Sequence, residues 1–457
     1  MIWNVLKPVK WTLAPVALLG CWQAQAMTLS EALNRAKDHD PLVPYSLALY
    51  SADKEQGAQI SGNRLPSLSL DGSYAKNQTE SESEFFPPVD EDYVSHAYGI
   101  SARQALYRYD WSALGEHADA LDEKAELGLL DRKQKFLIRV AERYFAVLDA
   151  QEGLRLAKSE AKAIAESLED TRRRHEVGLV PGTDLKEAQA RDDLAKARLI
   201  LAQQELDSAK DALDESTGNG YVRLPSLPEA SDLPPMEQKA LDAWLEKVVA
   251  NNPELQDLRQ EVVVAEAQAK QAKSGLLPRL DAVASYREDD TSESPVGSQR
   301  NDTRIGVELT VPIYQGGIQR ARNREALARQ EAAEANLKRI EAEVRRQARQ
   351  QYRELQAAYA QANALKLAVT SARAAEEATR NGYKAGTRTI TDVLNARSAL
   401  ISAQRDYAST RYQLLLGRMQ LKQLSAELGL DDFASVDRLL RVAENDDEAD
   451  ATAEEEQ

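Results

Sequence analysis

Large and small residues alternate along two segments of the chain, at steps of three and four. The positions are Leu185, Ala188, Asp192, Ala195, Leu199, Ala202, Leu206, Ala209 and Leu213, and then Val393, Ala396, Leu400, Ala403, Tyr407, Thr410, Leu414, Gly417 and Leu421. This spacing draws one stripe along a helix, and the small residues allow neighbouring helix backbones to approach closely. The pattern predicts long packed helices, although a simple two-helix coiled coil would explain the period equally well.

Two longer stretches without proline predict helices far beyond the average globular length. The first runs from Trp111 to Glu176, and the second runs from about Ile318 to Tyr383. The first stretch carries two apolar rows, which predict neighbours on both sides, as in a closed ring of helices. Shorter helices are predicted over residues 29–61 and 240–273, so that two short helices laid end to end match one long helix.

Four other segments alternate between apolar and polar residues with a period of two, which predicts β-strands. They lie within residues 68–74, 98–103, 280–286 and 305–313. Strands of about ten residues suit a tilted crossing of ~30 Å of hydrocarbon. The segments that join them in pairs, Asn77–Asp92 and Arg287–Asn301, are polar and rich in serine, which predicts surface loops.

Four strands are too few to close into a barrel by themselves. An open strand edge in lipid leaves backbone N–H and C=O groups unpaired, at a cost of several kcal/mol each. Single-chain barrels begin at about eight strands, so two copies would supply eight strands and three copies would supply twelve. Two ordinary hairpins capping a helical bundle are the alternative interpretation.

The two halves of the chain repeat each other. Leu277 follows Leu65 by 212 positions in matching contexts, and Gly386 follows Gly178 by 208. The predicted organisation is a signal peptide over residues 1–26, a first structural repeat over 27–217, a linker over 218–239, a second repeat over 240–430 and an acidic, disordered tail over 431–457. Each repeat contains a short helix, two strands, a long helix and a second short helix.

Composition and charge narrow the function. Aromatic residues make up 6% of the chain, and its formal net charge of −16 argues against nucleic acid or anionic lipid as a binding partner. The four histidines are scattered without metal-ligand spacing, and no cofactor fingerprint is present. The sequence therefore predicts neither an enzyme nor a cofactor.

The N-terminus has the pattern of a secretory signal peptide. Lys7 and Lys10 precede an apolar run, and Ala24-Gln25-Ala26 forms a small-x-small cleavage site. An alternative is lipoprotein processing, which would leave Cys21 acylated. Beyond residue 26 the sequence has no apolar run of ~18 residues, so strands would have to carry any membrane contact.

Several motifs resemble those of the TolC family of outer-membrane efflux proteins. They are Val177-Gly178-Leu179 with Thr183-Asp184, the run from Tyr383 to Leu394, and Leu309-Thr310-Val311-Pro312-Ile313-Tyr314-Gln315-Gly316-Gly317. The resemblance implies a mainly α homotrimer, in which four strands per chain form one twelve-stranded barrel in the outer membrane. A long helical barrel would continue from it through the periplasm. It also implies a passive duct for efflux or type I secretion, which a periplasmic adaptor protein and an inner-membrane transporter would open.

The resemblance also assigns residues to a closed periplasmic entrance. Thr183, Asp184, Tyr383 and Arg388 would bond neighbouring coils, and Asp392 would form a ring of three carboxylates. Asn395 stands where the family often has a second acidic residue. The adaptor-docking tips would be Val177, Gly178 and Leu179 in the first repeat and Ala385, Gly386 and Thr387 in the second.

Two other interpretations remain open from the residues alone. The glycines at 178 and 386 suit ordinary helix C-termini, and Thr183 or Thr391, followed by Asp184 or Asp392, suits an ordinary helix start. The competing function is an exported structural or adhesive coiled-coil trimer without a pore.

Overall fold

The computed structural model describes residues 26–81, 89–218, 224–228, 241–291 and 298–440. Nearly all of the predicted signal peptide, including Cys21, lies outside these ranges, as do most of the predicted linker and the tail beyond residue 440. In chain order the elements are α1 (Leu29–His39), α2 (Leu42–Gly62), β1 (Ser67–Ser81), β2 (Val89–Tyr107), α3 (Trp111–Glu176), α4 (Gly182–Thr217), α5 (Leu241–Asn251), α6 (Pro253–Ser274), β3 (Arg279–Asp290), β4 (Gln299–Thr310), α7 (Ile318–Lys384), α8 (Ile390–Leu424) and α9 (Leu430–Asp437).

The two long helices have almost the bounds that the sequence predicts. α3 packs against α2 and α6 along its first half and against α4 and α8 along its second half. An ion pair joins α3 to a neighbour in each half. Lys124 pairs with Asp257 of α6 at 3.3 Å in the first half, and Glu160 pairs with Arg198 of α4 at 3.1 Å in the second half. Of the described helices, none is both long and apolar enough to cross a membrane.

The short helices differ from the prediction, because each of the two predicted segments is a pair of helices. Proline has no backbone N–H and its ring clashes with the preceding turn, so the chain breaks before Pro41 and Pro253. The residue before each proline stabilises the new start: Asp40 Oδ1 accepts the Leu42 N–H at 2.9 Å, and Asn252 Oδ1 accepts the Leu255 N–H at 3.1 Å.

The strands form one antiparallel sheet in the order β1-β2-β3-β4. β1 and β2 are 15 and 19 residues long, so the predicted loop Asn77–Asp92 is partly strand, and Arg287–Asn301 is partly strand as well. Backbone pairing continues where both faces are polar, and side-chain alternation cannot reveal it there. β4 ends at Thr310 instead of Ile313, where Pro312 removes a ladder donor.

The two faces of the sheet differ in polarity. One face carries exposed aliphatic and aromatic side chains at Leu68, Leu70, Tyr74, Ile100, Ile305, Val307 and Leu309. On the other face, Arg103 meets Asp281 at 3.2 Å and Glu308 at 3.3 Å. Toward the end of the apolar face that lies far from the helices, the hydroxyls of Tyr98 and Tyr286 donate to Glu288. The sheet therefore presents a band of apolar surface that the described part of the chain leaves uncovered.

The largest apolar core, the midsection cluster, surrounds the centre of α3. It joins buried residues of α1, α3, α4, α8 and α9, including Leu33, Tyr144, Leu213, Met419 and Phe433. The Tyr144 hydroxyl is buried there and donates to the Met27 carbonyl at 3.0 Å, so the one polar group of that side chain has a partner.

The start of the predicted disordered tail is folded, which corrects the boundary at 431. Leu430–Asp437 forms α9, and Phe433 is fully buried in the midsection cluster. The Asp437 carboxylate accepts the Leu29 N–H at 2.8 Å and the Ser30 N–H at 3.1 Å. A carboxylate at a helix N-terminus satisfies unpaired donors and meets the positive end of the dipole. Thus α9 fastens the start of α1.

Phe433→Ala should lower the free energy of unfolding by about 3–5 kcal/mol, because it empties a fully buried aromatic site. The change is measured by thermal unfolding followed by circular dichroism. Asp431→Ala, an exposed position on the same helix, is the control and should change it by less than about 0.5 kcal/mol. Equal stability of the two variants would show that α9 does not anchor the midsection cluster.

Candidate functional site

The end of the molecule farthest from the sheet is formed by two helical hairpins. The first hairpin is α3 with α4, and the second is α7 with α8. Their turns share one geometry: Gly178 and Gly386 both have a φ of +75°. The Leu179 N–H donates to the Arg174 carbonyl at 2.8 Å, and the Thr387 N–H donates to the Gly382 carbonyl at 2.9 Å. These bonds satisfy carbonyls at the end of each helix, and glycine adopts the positive φ without steric cost.

The side chains at the two turns differ in polarity. At the first tip (residues 177–181), Val177 and Leu179 are 70% and 74% exposed. At the second tip (residues 385–389), Ala385 is exposed and Thr387 Oγ1 donates to the Gly382 carbonyl at 3.0 Å. The structure thus exposes all six predicted docking residues, and the first tip is the more apolar.

The helices that follow the turns start differently from the prediction. α8 begins after Thr389, whose Oγ1 accepts the Asp392 N–H at 3.2 Å, while Asp392 accepts the Thr389 N–H at 2.9 Å. The cap is therefore Thr389, and the expected cap by Thr391 is wrong. In the first repeat, Pro181 occupies the corresponding place and α4 has no side-chain cap.

The surroundings of Asp392 favour the ionised form of its carboxyl group. The backbone and side-chain hydrogen bonds with Thr389 lower the pKa of its carboxyl group, and the nearby Arg388 charge lowers it further. Asp392 is therefore ionised at any physiological pH. Its first role within the chain is to cap α8, as the capping-box geometry requires.

Tyr383 connects the two hairpins. Its hydroxyl donates to Asp170 Oδ2 at 3.3 Å, and Arg174 stacks on its ring at 4.9 Å from the centroid. Arg174 also pairs with Asp170 at 2.9 Å, which closes a three-residue contact between α3 and α7. Burial raises the pKa of the Tyr383 hydroxyl, so it remains a donor at neutral pH.

Asn395 forms a second connection between the hairpins. Arg191 Nη1 donates to Asn395 Oδ1 at 2.9 Å, while Arg191 Nη2 pairs with Glu187 at 2.8 Å. A third connection lies further from the tips, where Arg397 Nη2 donates to the Ser159 hydroxyl at 3.3 Å. Polar contacts at successive distances from the tips, these three among them, thus join the hairpins.

Among the described residues, the other predicted gate residues make no hydrogen bond or ion pair between the two hairpins. Asp184 Oδ1 accepts a hydrogen bond from Thr183 at 3.3 Å. Arg388 is exposed, and among the described residues it has no hydrogen-bond or ion-pair partner. The sequence analysis did not identify Asp170, Arg174 or Arg191, each of which takes part in a contact between the hairpins. The local signal for them was weak, because all three lie among other charged residues on long helices.

Comparison with known proteins places this geometry in a family. The sequence matches the family described as "Outer membrane efflux protein" over residues 32–219 and 244–427, one match in each half of the chain. It is 32% identical over 423 residues to outer membrane protein TolC of Vibrio cholerae, covering 92% of this chain and 95% of that protein. It is 29% identical over 434 residues to alkaline protease secretion protein AprF of Pseudomonas aeruginosa, covering 93% and 90%.

Solved structures agree with the fold. The CmeC outer membrane channel of Campylobacter jejuni matches with a TM-score of 0.73 at 13% identity, over 96% of this chain and 98% of that one. The outer-membrane channel OprN matches with a TM-score of 0.74 at 17% identity, over 88% and 90%. Both neighbours are named as channels of the outer membrane, and the likeness shows that this chain shares their fold. The chain belongs to the outer membrane efflux protein family and is a TolC-like exit-duct subunit of the outer membrane that extends into the periplasm.

Proposed function

We propose that a periplasmic adaptor protein and an inner-membrane transporter open this duct at its hairpin end, for efflux or for type I secretion. The proposal is carried by the Tyr383–Asp170–Arg174 contact, which ties the two hairpins together through half-exposed side chains. A relative is named an alkaline protease secretion protein, and another is named outer membrane efflux protein BepC. Both kinds of cargo are therefore within the proposal.

The order of elements in the chain supports a second set of contacts, between subunits. α7 packs on α6 and α8, while α4 packs on α3, so α7 and α4 lie at opposite edges of the helical layer. β4 and β1 are the corresponding edges of the sheet. Ring closure then brings α7 of one subunit beside α4 of the next. Arg388 follows α7 and Asp184 lies in the first turn of α4, so we place this ion pair, with Thr183 beside it, across the subunit boundary.

Weak contacts repeated around a ring suit a latch that a partner protein can release. An exposed ion pair contributes ~0–1 kcal/mol, so three copies at about 0.5 kcal/mol each would shift the closed–open equilibrium by about tenfold. A partner that binds the open form more tightly by a similar amount would reverse that shift. Asp392, repeated by the threefold symmetry, would line the constriction with three negative charges.

The tips are the proposed adaptor-docking surface. Val177 and Leu179 offer exposed apolar contacts around Gly178, and Ala385, Gly386 and Thr387 offer a smaller and more polar surface. Burying exposed aliphatic side chains under a partner protein is favourable, so these side chains would stabilise the complex.

The adhesive coiled-coil alternative is disfavoured. It requires heptad helices without a pore and gives no reason for an apolar outer face on the strands. The sheet carries that face at Leu70, Ile305 and Val307, and the family match spans both repeats.

Asp170→Ala should raise the single-channel conductance of the purified trimer in planar lipid bilayers. The substitution removes the acceptor of Tyr383 and the partner of Arg174 together. Tyr383→Phe should produce part of the increase, because it removes the hydroxyl and keeps the ring. Arg172→Ala is the matched control, since Arg172 is exposed and pairs with Glu169 on its own helix at 3.4 Å. Wild-type conductance in Asp170→Ala would remove this contact from the gate.

Arg388→Ser and Asp184→Ala should each raise the conductance in the same assay. If the two residues form one bond between subunits, the double variant should exceed neither single variant by more than the error of the measurement. Additive increases would show that the two side chains act separately, and two unchanged single variants would contradict the proposed pair.

The double variant Val177→Asp and Leu179→Asp should export less cargo from intact cells. The conductance of the purified trimer should stay unchanged. The added charges oppose burial under a partner but touch nothing inside the chain. Lys186→Ala, an exposed position near the start of α4, is the control for export. Full export by the double variant would rule out the first tip as a docking surface.

A further inference from the structure

Arg191 holds an unusual position among the charged residues of the entrance. Its guanidinium binds Glu187 on its own helix and Asn395 on the other hairpin, and its side chain is 26% exposed. Of these two partners only Glu187 carries a charge opposite to that of the guanidinium, because the Asn395 amide is neutral. Arg191 therefore makes one ion pair and one tie between the hairpins.

The two partners of Arg191 occupy equivalent places in the two repeats. The offset of 208 that relates Gly178 to Gly386 also relates Glu187 to Asn395 and Asp184 to Asp392. The first repeat thus carries two carboxylates one turn apart, and the second repeat carries one carboxylate and one amide. Arg191 bridges the position at which the repeats differ in charge.

Arg191 contacts α8 one turn from Asp392. Asp392 and Asn395 are three residues apart on α8, a rise of about 5 Å, and the guanidinium is in hydrogen-bond contact with Asn395. Charges one helical turn apart lie within about one Debye length (~8 Å) at physiological ionic strength, so salt does not screen them from each other fully. The other charged groups in this part of the entrance include Asp184, Lys186, Glu187 and Arg388.

We propose that Arg191 is a selectivity-determining residue of the entrance, a fixed positive charge that offsets the carboxylates of Asp392 and Glu187. The proposal rests on the proposed function, since it requires the hairpin end to be the constriction. Threefold symmetry gives three such charges around the axis. They weaken the preference for cations that the Asp392 carboxylates alone would create.

The test is the reversal potential of the purified trimer in planar bilayers across a gradient of KCl. Arg191→Gln keeps a hydrogen-bond donor for Asn395 and removes the charge, so the ratio of K⁺ to Cl⁻ permeability should rise by about twofold or more. Arg191→Lys keeps the charge and should retain the wild-type ratio. Asn395→Ala removes the tie between hairpins but leaves the charge, and it should also retain that ratio, whatever it does to conductance.

An unchanged ratio in Arg191→Gln would overturn the proposal while leaving the duct itself intact. An equal shift in Asn395→Ala would overturn it too, because Arg191 would then act as a tie alone. If Arg191→Gln does not assemble as a trimer, Arg191→Ala provides the same comparison with a shorter side chain. A wild-type trimer that passes no current would overturn both this inference and the proposed function.

Discussion

Unpaired edges govern this structure. The sheet ends at β1 and β4, whose outer edges pair with no other strand among the described residues, and one of its faces exposes apolar side chains. In hydrocarbon the backbone N–H and C=O groups of such edges must be paired, which only a closed ring of strands can achieve. The helical layer has edges on the same sides, at α2 and α4 and at α7. Identical copies therefore close the sheet and the helical wall in one operation, and the twist between the two parts must be compatible with a single symmetry axis.

The two repeats have the same arrangement of helices, but they differ in the side chains at equivalent positions. Thr389 caps α8, but its counterpart Pro181 leaves α4 without a side-chain cap. Leu400 is buried in an apolar cluster, whereas its counterpart Asp192 is a buried carboxylate that pairs with Lys196 and leaves Oδ1 without a hydrogen bond. The two hairpins share a backbone but differ in how firmly they are held. Such a difference would suit the proposed opening, in which one hairpin moves relative to the other.

Periodic features of this fold could be predicted from the sequence, and contacts between distant segments could not. Heptads and alternating strands persist over many residues, so α3 and the sheet emerge from their patterns. The acidic composition after residue 430 concealed the helical spacing of Phe433, Val436 and Leu440, which are buried. Tyr383 and Asp170 are 213 positions apart, and their contact depends on the angle at which the two hairpins meet. No local pattern encodes that angle, which follows from packing along the whole of α3.

The midsection cluster makes each lower hairpin a lever. From Phe145, at the centre of the cluster, to Gly178 is 33 residues, or about 50 Å of helix. Pivoting a rod of that length by about ten degrees carries its end sideways by about 9 Å, roughly the width of one helix. In the proposed opening, a small rotation at the midsection cluster would therefore produce a large displacement at the tips, while side chains near the pivot stay in register.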